Sequence, residues 1–588
     1  MKQHKRWGMD GSNRLLTPTC IHRLRRGRTN RGEFVTSPSQ RNIMINAIMS
    51  GLRHVQNQRA AIMALCFLLA AEWAKAQTIV HSFDGDRGPG LAACESGITH
   101  CDRPEMSVAA NGTQVVQVTW QNFRIYDYNG HLVQSTPLSQ IIRKAGLNPV
   151  SSNPNVPNPR TTPGPYEPQI VYDEFINRWI MTVTGQSDSL LVSASSNPAG
   201  AWGGVYPSCL EGGPCLSYDP GIHLGYDKNG VYVCGAHLGD DNPHTIPEVA
   251  YDCFAIPSPE VEAIAKGTPP AHVNRRHNMP LDIMPAIDHN GSKQPSAAAL
   301  FAAKTCGRTP RGACQNAINY PFNWLVETFN WNGSSGTYNA GGEQEIKTDV
   351  GSTRNKWLYS KPCCGEIATI PQAGNNAIGL RVAESHRLLN LVQFGSHLHG
   401  VLGSGPCTSG CGSQGEDTNN VLFWVDLDCS KTNACVVSQT AKIAGASFSP
   451  SFPTVGVDYA GNVGIVAVSS STSTDLSILL WTHRTTDPPN IVTGPTTIVS
   501  GTQPFTCLNT RNMATIGNAV GVMTALDPQD GSKLWTSEQW SNDATRCVWN
   551  TRIVEYQIAG AQARPAAGPI ACIAASFRPW GAPRRDLH

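Results

Sequence analysis

The 588-residue sequence predicts an all-β fold, a β-propeller of about seven four-stranded blades, with six or eight blades as the alternatives. Three observations predict it. From 105 to 558, short runs rich in Val, Ile, Tyr, Trp and Thr alternate with Gly, Pro, Asn and Asp. Helical periodicity is nearly absent; 257–265 reads as one short helix. A corner also recurs at intervals of a few dozen residues: a strand ends in Asp, a polar turn follows, and an apolar strand resumes.

The strand signals fall into seven groups, 106–135, 168–205, 219–275, 279–348, 356–445, 451–500 and 511–557. The corners are Asp127 to Gly130, Asp173 to Asn177, Asp227 to Gly230, Asp458 to Gly461 and Asp527 to Gly531. An Asp side chain can cap such a turn, and Gly supplies positive φ. The fifth group is long and carries the Gly/Ser/Cys loop 402–418. The last shows only about three strands. The lone β signal 78–83 is expected beside a strand of 511–557, where it would remove two open sheet edges. The Pro/Asn stretch 147–167 reads as a loop between groups.

An export signal is read after a basic leader. Residues 53–59 carry Arg at both ends, 60–71 are apolar, and Ala74-Lys75-Ala76 precedes Gln77. That order is a secretory signal peptide, and 12 apolar residues are too few for a bilayer span. Residues 1–48 read as an over-extended or disordered basic leader, 49–76 as the signal, 77–104 as a segment with the closing strand, 105–558 as the propeller, and 559–588 as a disordered tail. Met44 and Met49 lie at the start expected of a signal peptide. A secreted or periplasmic protein is expected, cut after Ala76.

Export changes the charge. The first 76 residues hold 13 of the 45 Lys+Arg and 3 of the 43 Asp+Glu, leaving a net charge of −8 with His neutral. That balance argues against nucleic acid and anionic membranes as partners. No later segment is long and apolar enough to cross a bilayer. Seventeen of the 19 cysteines follow the signal, many at short separations. In an oxidising compartment they predict local disulfides. The expected pairs are Cys94 with Cys101, Cys209 with Cys215, Cys234 with Cys253, Cys306 with Cys314, Cys407 with Cys411, and Cys429 with Cys435. Cys363 and Cys364 either bridge each other or pair separately with Cys507 and Cys547; Cys572 is left over.

Three stretches carry a family resemblance. They are Ser107-Val-Ala-Ala-Asn-Gly112 through Asn129-Gly-His-Leu132; Pro168-Gln-Ile-Val-Tyr-Asp-Glu-Phe-Ile-Asn-Arg-Trp179 with 193–202; and 449–462, extending to Trp549-Asn-Thr-Arg552. Together they resemble secreted bacterial β-propeller proteins of mostly unassigned function, over roughly 105–558. The resemblance implies fold and export, not an activity. The segment 511–517 departs from the Gly-Asp-Tyr-Ser-like turn it implies before the last blade.

Chemistry is weakly marked. A sialidase-like glycosidase would need an arginine cluster, a Tyr/Glu pair and an acid. The channel candidates for it are Arg124, Arg381, Arg484 and Arg552, with the adjacent carboxylates Asp173 and Glu174; the Asp-box turn is only distantly echoed by 527–535. His397 and His399 share one strand face and, with Cys407 and Cys411, could ligate zinc, but a Cys407–Cys411 disulfide fits an exported chain better. The acidic loop 239–242 offers oxygens to calcium, yet its spacing matches no full calcium loop. No cofactor is expected, and no catalytic residue is assigned. The expected function is ligand binding at one face of a monomeric ring, the ligand being a glycan, peptide or protein. A hydrolase in the same channel and a passive surface scaffold are the alternatives.

Overall fold

The computed structural model describes residues 77–90, 104–148, 166–184, 188–207, 210, 222–238, 249–279, 283–289, 299–305, 323–345, 369–373, 380–381, 388–404, 419–431, 435–445, 447–507, 514–515, 524–543, 545 and 547–558. The signal segment, the tail and the 239–242 loop lie outside the described residues. So do five of the cysteine pairs: Cys94 and Cys101, Cys209 and Cys215, Cys306 and Cys314, Cys363 and Cys364, and Cys407 and Cys411.

The chain opens with β1 (Gln77–Arg87). Then β2 (Ser107–Ala110), β3 (Gln114–Val118), β4 (Asn122–Asp127) and β5 (Leu132–Pro137) form an antiparallel sheet in that order, followed by helix α1 (Leu138–Lys144). A second such sheet is β6 (Tyr166–Asp173), β7 (Arg178–Thr184), β8 (Ser189–Ser193) and β9 (Trp202–Val205). A third group is β10 (Ile222–Tyr226), β11 (Gly230–Leu238), β12 (Val249–Pro257) and, after helix α2 (Ser258–Ile264), β13 (Asn274–Met279). The fourth is β14 (Met284–Pro285) with β16 (Ala299–Thr305), β17 (Asn323–Asn332) and β18 (Ser335–Glu345). Between them β15 (Ile287–Asp288) pairs parallel with β10.

Two short strands, β19 (Thr369–Ile370) and β20 (Leu380–Arg381), come next. The fifth group is β21 (Leu391–Phe394), β22 (His397–Ser404), β23 (Val421–Asp428) and β24 (Val436–Ala444), and β15 pairs parallel with β21 as well. The sixth is β25 (Ser449–Val457), β26 (Val463–Ser470), β27 (Asp475–His483) and β28 (Thr493–Gly501). After β29 (Ala514–Thr515) the last group contains β30 (Ala525–Leu526), β31 (Lys533–Trp540) and β32 (Asn550–Ile558). Its fourth strand is β1, which runs antiparallel to β32 from Gln77↔Ile558 to Arg87↔Asn550. The expected partner for 78–83 is thus present, and the described part of the fold is mostly β.

The fifth and last groups begin later than in the sequence reading, the last at Ala525. The fifth group begins at Leu391, because β19 and β20 join β29 in a separate three-stranded sheet. Ile370 and Leu380 are buried in a separate cluster with Phe505, Trp549 and the Cys507–Cys547 disulfide. Helix α2 falls where expected. Helix α1 does not appear in the sequence reading. It buries Leu138, Ile141 and Ile142, the i, i+3, i+4 spacing of one helix face. It ends with Arg143 and Lys144 in its last turn and Gly146 at φ 83° beyond it, both favourable at a helix C-terminus.

Apolar packing is divided among the interfaces between successive groups. Phe123, Trp179 and Trp202 fill the first interface, with α1 packed on it. Ile180, Leu224 and Val231 fill the second, joined by Val261 and Ile264 of α2. Tyr232, Phe301 and Phe329 fill the third, and Trp324, Leu398 and Phe423 the fourth. Trp424, Val455 and Trp481 lie in the fifth, and Val466, Leu534 and Tyr556 in the sixth. Trp535, Ile553 and Val108 join the last group to the first.

Polar clamps accompany these clusters. A side chain on or beside the first strand of one group accepts a backbone N–H from a neighbouring group. Ser107 takes Ile170 N (3.1 Å), Gln169 takes Leu224 N (2.9 Å), and Gln393 takes Leu300 N (3.1 Å). Asn390 takes Val455 N (3.0 Å) and Thr454 takes Thr524 N (3.0 Å). Gln117 Nε2 donates to Ser537 Oγ (2.7 Å), tying the first group to the last. Each backbone clamp satisfies a buried N–H.

The two ends of the strand series are tied by charge as well. Asp86 on β1 is buried, and Arg124, Thr119 and Asn122 donate to its carboxylate. Cys234–Cys253 and Cys429–Cys435 are disulfide-bonded as expected. Cys507 pairs with Cys547, so neither is a partner for Cys363 or Cys364. Among the described residues, no helix is long and apolar enough to cross a membrane.

Candidate functional site

The site grows out of the corner motif. In each corner the Asp carboxylate accepts backbone N–H groups of the turn it opens. Asp127 Oδ1 takes Asn129 N and His131 N, both at 2.9 Å. Asp173 Oδ1 takes Phe175 N at 2.9 Å, and Asp227 Oδ1 takes Asn229 N at 2.7 Å. Asp458 Oδ1 takes Ala460 N and Asn462 N, and Asp527 Oδ1 takes Gln529 N. Positive φ falls on Gly130, Gly461 and Asn177. Gly230 and Gly531 are not left-handed, contrary to the sequence reading; a Cβ there would strike the rings of Trp331 and Tyr459.

Four of these corners join the first and second strands of their groups, so they lie at one end of their sheets. Asp173 ends β6, Asp227 follows β10, Asp458 follows β25 and Asp527 follows β30. Their flanking residues meet. The Tyr226 hydroxyl, at the end of β10, lies 2.6 Å from Glu174 Oε2 and 3.0 Å from the Tyr172 carbonyl. His289 Nδ1, just after β15, lies 3.0 Å from that hydroxyl and 3.3 Å from Glu174 Oε1. Three side chains distant in sequence therefore share one hydrogen-bonded cluster. Tyr459, on the sixth group, feels the same charge: burial first, then the carboxylates of Glu174 and Asp527, push its phenol up to about 12.

The electrostatics are those of carboxyl groups held away from water. Burial, then the charge of Glu174, raises the Asp173 carboxyl to about 8. Burial also raises Asp227 and Asp458. Burial and the neighbouring Glu174 and Asp173 carboxyls hold the Tyr226 phenol far above its usual range, so it remains a hydrogen-bond donor and not a phenolate nucleophile. The cation of this turn, Arg178, is directed to Glu262 (3.7 Å) and to the carbonyls of Ile176 and Asn177.

Of the sequence candidates, the structure brings Asp173 and Glu174 to this cluster and leaves the arginines apart. Arg124 pairs with Asp86, Arg484 with Asp487 and Arg552 with Asp84, each at 2.7 Å. Each lies on or just after the third strand of its group, so they do not converge with Asp173 and Glu174. Arg381 is described only as part of β20. Tyr226, His289 and Tyr459 were not singled out from the sequence. Each stands next to a corner Asp or to Asp288, and adjacency to that repeat was the available signal.

His397 and His399 do share a strand face, but their partner is Asp426. His397 Nδ1 lies 2.8 Å from Asp426 Oδ1, and this bond raises the imidazole's pKa. His399 is buried beside Trp424, and burial lowers it to about 4. Among the described residues no group of His, Cys, Asp and Glu is placed to hold a metal ion.

No family model matches the chain, and no curated protein does. Similar solved structures include an ulvan lyase of polysaccharide lyase family PL25 (8% identity, 77% of this chain, 92% of that chain, TM-score 0.36). They also include Drosophila Semaphorin 1b, extracellular domains 1–2 (8%, 82% and 87%, TM-score 0.35). A third is the GH93 α-L-arabinofuranosidase of Fusarium graminearum in complex with arabinobiose (9%, 64% and 89%, TM-score 0.30). These likenesses are too weak to carry a functional argument.

Proposed function

We propose that the chain is an exported, disulfide-stapled β-propeller of seven blades, closed by β1, that binds a glycan at the face where the corner aspartates gather. The succession of interface clusters and clamps, returning from the last group to the first, supports the ring. Three disulfides support an oxidising compartment. The observation that carries the binding reading is the meeting of Glu174, Tyr226 and His289 from separate parts of the chain. Carboxylates accept from sugar hydroxyls, and the partly exposed rings of Tyr459 and Phe175 offer faces for stacking.

A hydrolase is the second reading, favoured by the 2.6 Å contact between Tyr226 and Glu174. Against it stand the strongly protonated phenol and arginines engaged elsewhere. A glycan array probed with the secreted protein tests the proposal. Wild type should bind a restricted set of glycans, and Glu174→Gln and Tyr459→Ala should lose it, whereas Leu132→Ser on the exposed β5 should not. An array with no bound glycan overturns the binding reading. Glycoside turnover that disappears in Tyr226→Phe replaces it with the hydrolase.

A further inference from the structure

Five aspartates open the same turn, and one is chemically different. Asp127 gives its second oxygen to His131 Nδ1 (2.8 Å), Asp227 to Asn229 Nδ2 (3.4 Å) and Asp458 to Asn462 Nδ2 (2.9 Å). Asp527 takes a hydrogen bond from the Tyr128 side chain. Asp173 Oδ2 is fully buried and has no hydrogen-bond partner. A bare buried carboxyl oxygen is costly. Asp173 is also the one corner followed by a second acid, Glu174, which joins Tyr226 and His289.

We infer that the glycan bound at this face carries a free amine, and that its ammonium group sits between Asp173 Oδ2 and the Glu174 carboxylate. The inference rests on the glycan-binding proposal and adds the class of sugar. An ammonium supplies three donors, which suits one bare oxygen and a carboxylate that can accept several hydrogen bonds. Calcium would require six to eight oxygen ligands, and here a phenol and an imidazole take neighbouring places. After burial, the acids Glu174 and Asp227 oppose ionisation of the Asp173 carboxyl, so an incoming cation that counters their charge favours the carboxylate. An N-acetylated sugar would present a neutral amide and bring no such charge.

The arrival of the cation moves a proton. Asp173 is held mostly protonated at neutral pH by burial and by Glu174, with Asp227 adding to the effect. An ammonium beside Oδ2 favours the carboxylate, so the carboxyl proton leaves to solvent while the ammonium keeps its own three. Binding near pH 6, where the sugar amine is already mostly the ammonium, should release up to about one proton.

The test is calorimetry on the full secreted chain with three tetrasaccharides of one linkage: glucosamine, N-acetylglucosamine and glucose. Each is measured at pH 6 in two buffers of different ionisation heat. The glucosamine oligomer should bind at least tenfold tighter than the other two, with a buffer-dependent heat that reports proton release. Asp173→Asn keeps the turn's oxygen acceptor; it should remove the proton release and reduce the preference to parity. Asp84→Asn, which removes an exposed acid paired with Arg552, should leave the preference intact. Equal or tighter binding of the acetylated or neutral oligomer overturns the inference while glycan binding stands. So does a preference that Asp84→Asn abolishes equally, since it then reflects overall charge. Absence of binding by these and all arrayed glycans overturns the underlying proposal as well.

Discussion

The Asp458 and Asp173 corners differ in what their second carboxyl oxygen does. Both open the turn between the first and second strands of a group, and both cap it through Oδ1. At Asp458 the remaining valences are filled. Asn462 Nδ2 donates to Oδ2, and Asn462 Oδ1 is itself engaged by Thr485 N at 3.1 Å. At Asp173 the second oxygen is bare, and the neighbouring Glu174 reaches out of the turn to Tyr226 and His289. The repeated unit builds the scaffold, and the proposed site lies where one copy leaves its hydrogen bonding unfinished. Unsatisfied buried acid is destabilising in itself, which is how binding sites in otherwise consistent structures stand out.

Both corners depend on a scaffold that stays folded, and removing β1 would damage it most severely. Deleting residues 77–87 takes away the outer strand of the last group and leaves β32 as an open edge. It strips Phe83 from Tyr126 and Trp535, and it leaves the largely buried Arg124 without Asp86. We expect a loss on the order of 5 kcal/mol or more, seen as a large fall in melting temperature with aggregation in light scattering. An unchanged melting temperature would remove β1 from the account of stability.

Substituting Asp173 by Asn sharpens the contrast through pH. The folded carboxyl lies at about 8, raised from an unfolded value near 4. A raised carboxyl favours the folded state at low pH, and that contribution is lost as pH climbs from about 4 through about 8. Asn does not titrate and keeps the Oδ1 acceptor, so the variant should gain on wild type across that window. The gain should be on the order of 1 kcal/mol per pH unit at most. Thermal unfolding at pH 5 and pH 8 measures it; a difference that shrinks as pH rises would contradict the assignment.

The same substitution at Asp458 should act in the opposite direction. The new amide nitrogen would face Asn462 Nδ2, donor against donor. Turning the Asn462 amide to relieve that contact would sacrifice the bond from Thr485 N. A loss of about 2 kcal/mol at pH 7 is expected, the cost of one buried unsatisfied pair. Denaturant titration of Asp458→Asn and Asp173→Asn side by side gives the result, and equal losses would erase the distinction between the corners.

Much of this scaffold was legible in the sequence. Inner strands such as β26 and β27 are buried throughout and read as largely apolar runs. Outer strands are harder: β28 is Thr-rich and mostly exposed, so nothing in its pattern demands a sheet. Helix α1 is too short to establish a period. The polar clamps at Ser107, Gln169, Asn390, Gln393 and Thr454 use four residue types, and only the fold reveals their common task. At the site, Asp173 and Glu174 were visible as adjacent acids, but Tyr226 and His289 stand 52 and 115 positions from Glu174. The arginines misled because their presence on strands says nothing about partners: Arg124, Arg484 and Arg552 each have a carboxylate at 2.7 Å.

The smallest effect on folding is expected at Glu174, and it separates structural from binding roles. Glutamine keeps an oxygen to accept the Tyr226 hydroxyl, so the shortest contact of the cluster can survive. It removes the charge that raises Asp173, Tyr226 and Tyr459, which relieves three protonated groups at once. Against that gain stands the weaker attraction between a neutral amide and the His289 Nδ1 at 3.3 Å. These terms oppose each other, and Glu174→Gln should shift stability by no more than about 1 kcal/mol in either direction. Asp173, freed from its charged neighbour, should titrate lower, so the pH window of its stability contribution should narrow from the alkaline end. Carboxyl carbon shifts followed by NMR between pH 4 and pH 9 would report that movement. A stability loss as large as that of Asp458→Asn, with no change in the Asp173 titration, would make Glu174 a structural member of the turn and return the two corners to equivalence.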